Sequence, residues 1–403
     1  MNIAFGAILG LACDVTDFSL KDLISNNIIR CDSDVDNFGE FGGIAGKILS
    51  EYCNITDCTN YTSINGPQDF NNGVGGIAGR IDANSSVINK CYNKANISGN
   101  WGGTGGIVGE LMCNNSKVYE CSNTGEIGAA WGTGGILGWD ASDNLEIYNC
   151  YNLGKIYNTY KDGGDFGGVI GQCRAILTMY NCYNAGEIYS DVENCIYGDV
   201  GGIIGQNNEG VIYNCFNIGN INLCAVKDTN TSDNGIGGLV GAAGSDFGTF
   251  KILNCFNSCN LTLCYASEET VKHPIIYGEI IGSIYKDVTI ENCYGYSNKT
   301  INIQGDPYNI AQNVGQVKSH YDKFEGTKLI NGYVDLTNSY PSVAVNVEQV
   351  TQNVQEVISF KSQKFCDILN TWSDNNSGYS RWIYDANKNN GVPYLECLKD
   401  IIK

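Results

Sequence analysis

Nineteen cysteines, two histidines (His273 and His320) and five tryptophans set the chemistry open to this 403-residue chain. A cysteine nucleophile would need one of the two histidines beside it to take its proton, and a zinc peptidase would need an HExxH pair, which does not occur. Zinc held by cysteine would need paired CxxC spacing, also lacking. The run Asp32-Ser33-Asp34-Val35-Asp36 opens like a calcium-binding loop. Asn37 then stands where such a loop needs Gly, and Gly43 where it needs Glu, so a solvated acidic loop is the reading. Hydrolysis of a glycoside needs two carboxylates across a cleft. The acidic residues here are spread without recurrent pairing, so no catalytic residue is assigned and no cofactor or metal is expected. The remaining feature with binding chemistry is aromatic. Trp101 and Trp131 precede consecutive Gly-Gly pairs and Trp139 follows the second. Such rings offer apolar faces to a sugar or a protein partner, or pack over a loop edge.

Composition explains what must position these groups. Gly occurs 51 times and Pro only 5, so glycine serves something periodic rather than a disordered linker. With 24 Lys+Arg against 43 Asp+Glu the formal charge is −19, which opposes binding to nucleic acid. No run of 18 apolar residues occurs, so no membrane-inserted helix is expected. The opening MNIAFGAILGLAC lacks a basic leading region and reads as a first repeat rather than as a secretory signal.

The period is explicit. Gly-Gly-apolar-apolar-Gly recurs as GGIAG (42), GGIAG (75), GGIVG (105), GGILG (134), GGVIG (167), GGIIG (201) and GGLVG (237), with worn copies GAILG (6) and GEIIG (278). Steps of 29 to 41 residues separate successive copies from 42 onward, the mark of a solenoid. A second block, such as IYNCYNLGKI or IYNCFNIGNI, follows each first block. It places nine cysteines at one repeat position: Cys31, Cys58, Cys91, Cys121, Cys150, Cys182, Cys215, Cys255 and Cys293. Stacked equivalents point the same way, which predicts reduced thiols serving as small buried apolar groups. Cys13, Cys53, Cys113, Cys173, Cys195, Cys224, Cys259, Cys264, Cys366 and Cys397 are irregular, and disulfides among them stay open. Cys224 and Cys264 each follow a motif Cys by nine residues, which suggests that they stack too.

Three residues before each Cys stands an aliphatic residue or Met, an odd spacing for strand faces, so a corner must lie between. From the Cys onward the block alternates with period two and reads as one strand. Its second position holds Asn60, Asn93, Asn123, Asn152, Asn184, Asn217 and Asn257, whose amides would hydrogen-bond from turn to turn as a ladder. The adjacent aliphatics of the Gly-Gly block suggest a strand covered on both faces. Segments 222 to 236 and 262 to 277 vary most and should project as loops.

The double block resembles the GLUG motif repeats of bacterial surface proteins, including adhesin-like proteins and repeat regions of some immunoglobulin A peptidases. That resemblance covers roughly residues 5 to 305 and implies a solenoid fold and a surface location, without implying a reaction. The expectation is an all-β parallel β-helix or solenoid of about nine repeats of roughly 30 to 40 residues over 5–305, then a degenerate or transitional stretch over 306–344. A C-terminal region with a short helix over 345–403 should cap the last strand edge. The function expected is a non-enzymatic extracellular or cell-surface module for adhesion or spacing, with a host or cell-surface glycan or protein as partner. A carbohydrate-binding or carbohydrate-active β-helix, and a repeat fragment of a larger surface enzyme, are the alternatives.

Overall fold

One turn of the structure, from Gly164 to Tyr189, shows how the motif folds. Gly164–Gly167 forms a short strand, a sharp bend follows, and Ile170–Tyr180 runs as a long strand. Asn181 then takes φ 54°, the left-handed region that Asn tolerates better than most residues. Tyr183–Asn184 and Ile188–Tyr189 complete the turn. The residue before the motif Cys is left-handed in every turn from Asp57 to Asn292, with φ between 49° and 54°. This is the corner that the odd spacing requires.

The structure, a computed structural model, describes residues 4–30, 39–66, 72–99, 101–160, 163–191, 198–224, 235–244, 248–265, 276–284, 288–303, 318–319, 328–330, 333–334, 359–376, 379–400 and 402. Turns stack into three parallel sheets. The Gly-Gly blocks form a nine-stranded sheet, the long strands a fourteen-stranded one, and the Cys-Asn blocks a seventeen-stranded one. The fold is an all-β parallel solenoid with one helix near the carboxyl end. Strands Lys318–Ser319 and Lys328–Ile330 extend the long-strand sheet and Tyr333–Val334 the Cys-Asn sheet, so the worn stretch beyond 306 carries part of a further turn.

The interior is one apolar column. Val169 and Ile170 are both fully buried in it, as are their equivalents Ile203 and Ile204. Both point inward because the bend lies between them: the two amides share the Ile203 carbonyl at 2.8 and 3.0 Å. The expectation of a strand covered on both faces is thereby corrected.

Cys58, Cys91, Cys121, Cys150, Cys182, Cys215, Cys255 and Cys293 line this column and are buried. Each thiol has a carbonyl to donate to; Cys182 Sγ lies 3.3 Å from the Tyr180 oxygen and 3.8 Å from that of Ile147 on the neighbouring turn. Burial holds the Cys182 thiol well above the usual range, so it stays neutral. Sixteen cysteine side chains are described and all are free thiols. Cys31 lies outside the described residues, and its assigned place belongs to Leu23. The Leu23 carbonyl accepts from the Thr59 amide at 2.8 Å just as that of Cys58 accepts from Tyr92, and Ser25 stands opposite Asn60. Cys224 and Cys264 are in register on adjacent turns.

The asparagines do more than alternation implies. Asn60 to Asn257 are fully buried and linked in series, each Nδ2 donating to the next Oδ1 at 2.7–3.0 Å. Asn184 also bonds within its own turn, Nδ2 to the Gly186 carbonyl at 2.9 Å and Oδ1 from the Gly186 amide at 3.1 Å. A side chain that satisfies the backbone two residues on creates a bend. The block is therefore two short strands around a bend in most turns, rather than one strand. The second glycine of the pentad faces this ladder: a methyl on Gly168 would collide with the Asn184 side chain and the Gly202 carbonyl. The two halves of the motif thus constrain each other.

Within the region expected to cap the last strand edge, residues 359–376 and 379–400 pack against the flank of the solenoid. Helix α1 (Gln363–Asn375) is capped by Ser362, whose side chain accepts from the Phe365 amide, and it packs with the antiparallel pair Trp382–Ile383 and Tyr394–Leu395. Together they lie across the side of the solenoid, over the stacked row Tyr183, Phe216, Phe256 and Tyr294. Phe365 meets Phe256 and Tyr294 edge-on at 5.5 and 5.2 Å, and Trp382 meets Phe216 at 5.8 Å. The outward aromatic row is an apolar surface that this layer takes out of water. The loops foreseen at 222 to 236 and 262 to 277 fall mostly outside the described residues.

Replacing Asn184 by Ala removes one of two hydrogen bonds from the Asn152 Nδ2 and from the Asn217 Oδ1, and both side-chain bonds to the backbone of Gly186. Each buried group left unsatisfied costs about 1–3 kcal/mol. Urea unfolding should show a loss of at least that size, and an unchanged midpoint would refute the ladder's energetic role.

Candidate functional site

The tryptophans divide into two environments. Trp101 and Trp131 stack at 6.5 Å with 23° between their planes, and Tyr160 meets Trp101 edge-on at 5.1 Å. Trp131 stands opposite Gly164 in the first sheet, and its six-membered ring lies over that glycine, where any side chain would intrude. The three rings come from consecutive turns and all are half-buried. Trp139 is engaged elsewhere. It sits in the long-strand sheet in register with Glu110 and Gln172, over Gly103, with the Arg174 guanidinium 5.5 Å from its ring. The cluster is therefore Trp101, Trp131 and Tyr160. The sequence does not single out Tyr160, because it precedes its Gly-Gly pair by a longer step.

A second feature lies inside the core. Two positions after the third glycine of the pentad, Ile48, Ile81 and Leu111 give way to Asp140, Cys173 and Asn207, in register on successive turns. Asp140 is fully buried; its Oδ1 accepts from the Ser142 amide at 3.3 Å and its Oδ2 lies 3.5 Å from Cys173 Sγ. Burial pushes the Asp140 carboxyl up to about 6. Burial and the nearby carboxylate push the Cys173 thiol well above its usual range. Asn207 donates to the Glu209 carbonyl at 2.9 Å, and its Oδ1 has no partner among the described residues. A sealed acid beside a neutral thiol has no access to substrate, so this line is structural. The identical offset from Gly138, Gly171 and Gly205 was the signal that could have revealed it.

On the outer face Tyr119, Tyr148, Tyr180 and Tyr213 stack at 4.8–5.0 Å with planes within 3°, a ladder legible in VYEC, IYNC and MYNC but not drawn from them. Among the described residues no three His, Cys, Asp or Glu side chains converge so as to hold a metal ion. His273, His320 and Asp32 to Asp36 lie outside the described residues.

No family model matches the chain, and no curated protein matches it in sequence. Among solved structures it is similar to the crystal structure of a putative immunoglobulin A1 protease from Bacteroides ovatus. The two share 18% identity, with a TM-score of 0.45 over 86% of each chain.

Asp140 carries a testable charge. Its folded pKa lies above the roughly 3.9 of an unfolded aspartate, so the native state binds the proton more tightly. Stability from this group is full below about pH 4 and falls as pH rises toward about 6. Asp140→Asn should therefore be more stable than the parent at pH 7, by about 1–3 kcal/mol, with the gain shrinking at pH 4. Urea midpoints at both pH values measure this, and an equal difference at both would contradict it.

Proposed function

We propose that this chain is a non-enzymatic repeat module of the extracellular space or cell surface, acting as a rigid spacer that carries an adhesive patch. The observation that carries the reading is the cluster of Trp101, Trp131 and Tyr160 on three consecutive turns. Solenoid turns are neighbours in space, so residues spread over 60 positions form one half-buried aromatic surface. Half-buried Trp and Tyr rings are rigid, amphipathic contact area that loses little conformational freedom on binding. The partner is a cell-surface or host glycan or protein. The Gly-Gly-apolar-apolar-Gly and Asn-Cys-Tyr-Asn blocks support placing the chain with GLUG-type repeat proteins, and the acidic surface suits a soluble rod.

Trp131→Ala should weaken retention on a glycan array or on cells by roughly 1–3 kcal/mol while leaving the melting curve intact. Tyr160→Ala should act in the same direction. Reduced stability with unchanged retention would assign the rings to packing and remove the adhesive reading.

A further inference from the structure

A second asparagine ladder runs along the outer corner of the solenoid, through the left-handed residues Asn149, Asn181, Asn214, Asn254 and Asn292. Its amides donate one turn back: Asn181 Nδ2 to Asn149 Oδ1 at 3.1 Å, Asn254 to Asn214 at 2.7 Å and Asn292 to Asn254 at 2.5 Å. One rung departs from this pattern. Asn214 Nδ2 donates to the Ser380 carbonyl at 3.2 Å, and Asn181 Oδ1 is buried with no partner among the described residues. Ser380 lies in the layer formed by residues 359–376 and 379–400. Asn254 also meets that layer, at Ser373 Oγ (3.2 Å), yet keeps its rung.

The layer is held without strand pairing to the turns. Trp382–Ile383 and Tyr394–Leu395 form a two-stranded sheet of their own. The described hydrogen bonds that join the layer to the solenoid each involve a side chain: those of Asn214 and Asn254, and Trp372 Nε1 to Glu291 Oε1 at 3.0 Å. Apolar contact of Phe365 and Trp382 with Phe216, Phe256 and Tyr294 supplies the rest of the hold. The layer can therefore leave while every described rung of the three parallel sheets stays paired.

We propose that this layer is a detachable mask, with the Asn214 amide shared between two states. In the closed state the amide binds Ser380, and the Asn181 acceptor is orphaned. In the open state the Ser380 carbonyl turns to water and Asn214 completes the rung to Asn181. Tyr183, Phe216, Phe256 and Tyr294 then form a bare strip continuous with half-buried Tyr151, which stacks on Tyr183 at 5.2 Å. Apolar burial favours the closed state, and the unsatisfied buried acceptor works against it. Opening thus costs less than the contact area alone implies, and it bares an aromatic surface without unfolding the turns.

Cys366 reports the opening. It is 1% exposed within the layer, its thiol donating to the Trp382 carbonyl at 3.3 Å. Off the solenoid, a unit of about forty residues is too small to keep such a core closed, so the thiol becomes reachable. Timed alkylation of the native full chain with peptide mapping should label Cys366 well before Cys182, Cys215 and Cys255, which are reached only when the turns unfold. Asn181→Ala removes the orphan from the closed state and the rung from the open one, so Cys366 labelling should slow by at least about fivefold. Trp372→Phe loses a bond made only in the closed state and should speed that labelling, with the three core thiols at their parent rates. Labelling of Cys366 only together with the core thiols, or an Asn181→Ala rate equal to or above the parent's, would overturn the proposal. Should Asn181→Ala fail to fold, an unaltered Cys366 rate in Trp372→Phe overturns it alone. Retention through Trp131 is a separate readout, so the adhesive reading and this one fail independently.

Discussion

The interaction on which the rest of the structure depends is the buried asparagine amide that bonds in two directions. Across turns it joins each Asn to the next; within a turn it ties its own backbone into a bend. An amide buried without partners is costly, and one with all its partners rigidifies its surroundings. Once the ladder occupies the space between the first and third sheets, a glycine is the residue that fits opposite it, as at Gly168. The bend between the two aliphatics then directs both into the core, and the left-handed residue before each Cys returns the chain for the next turn.

Around this frame the structure tolerates exceptions with physical consequences. Asp140, Cys173 and Asn207 replace aliphatics in the core, where burial makes the acid hold its proton more tightly. Outside, the aromatic rows are treated differently along the rod. Residues 359–376 and 379–400 cover Tyr183 to Tyr294, while Trp101, Trp131 and Tyr160 stay half-buried on the turns that lead up to that row. The flank is thus covered over one region and half-open over another.

Much of this was legible because repetition averages out local ambiguity. Seven Asn at one offset cannot all be accidental, and such a series implies a ladder. Asn184's bond to its own Gly186 was not legible, since alternation over seven residues reads as a strand whether or not a bend interrupts it. The first turn misled for a similar reason: Cys31 matched the motif by type, whereas register assigns the place to Leu23, a chemically different residue. The lateral position of helix α1 depends on an aromatic row that exists only once the turns stack, a property of the assembled solenoid. Trp139 fell into the same cluster as Trp131 by sequence proximity, but it belongs to another sheet, beyond the bend that Gly134 and Gly135 begin.

Hydrogen exchange with mass spectrometry on the parent and Asn184→Ala tests the ladder most directly. Asn184 accepts from Asn152 and donates to Asn217, so its loss should speed exchange in residues 150–156 and 215–221 as well as 182–188. Faster exchange confined to 182–188 would show that the turns hold together without the amide chain, and would contradict the account.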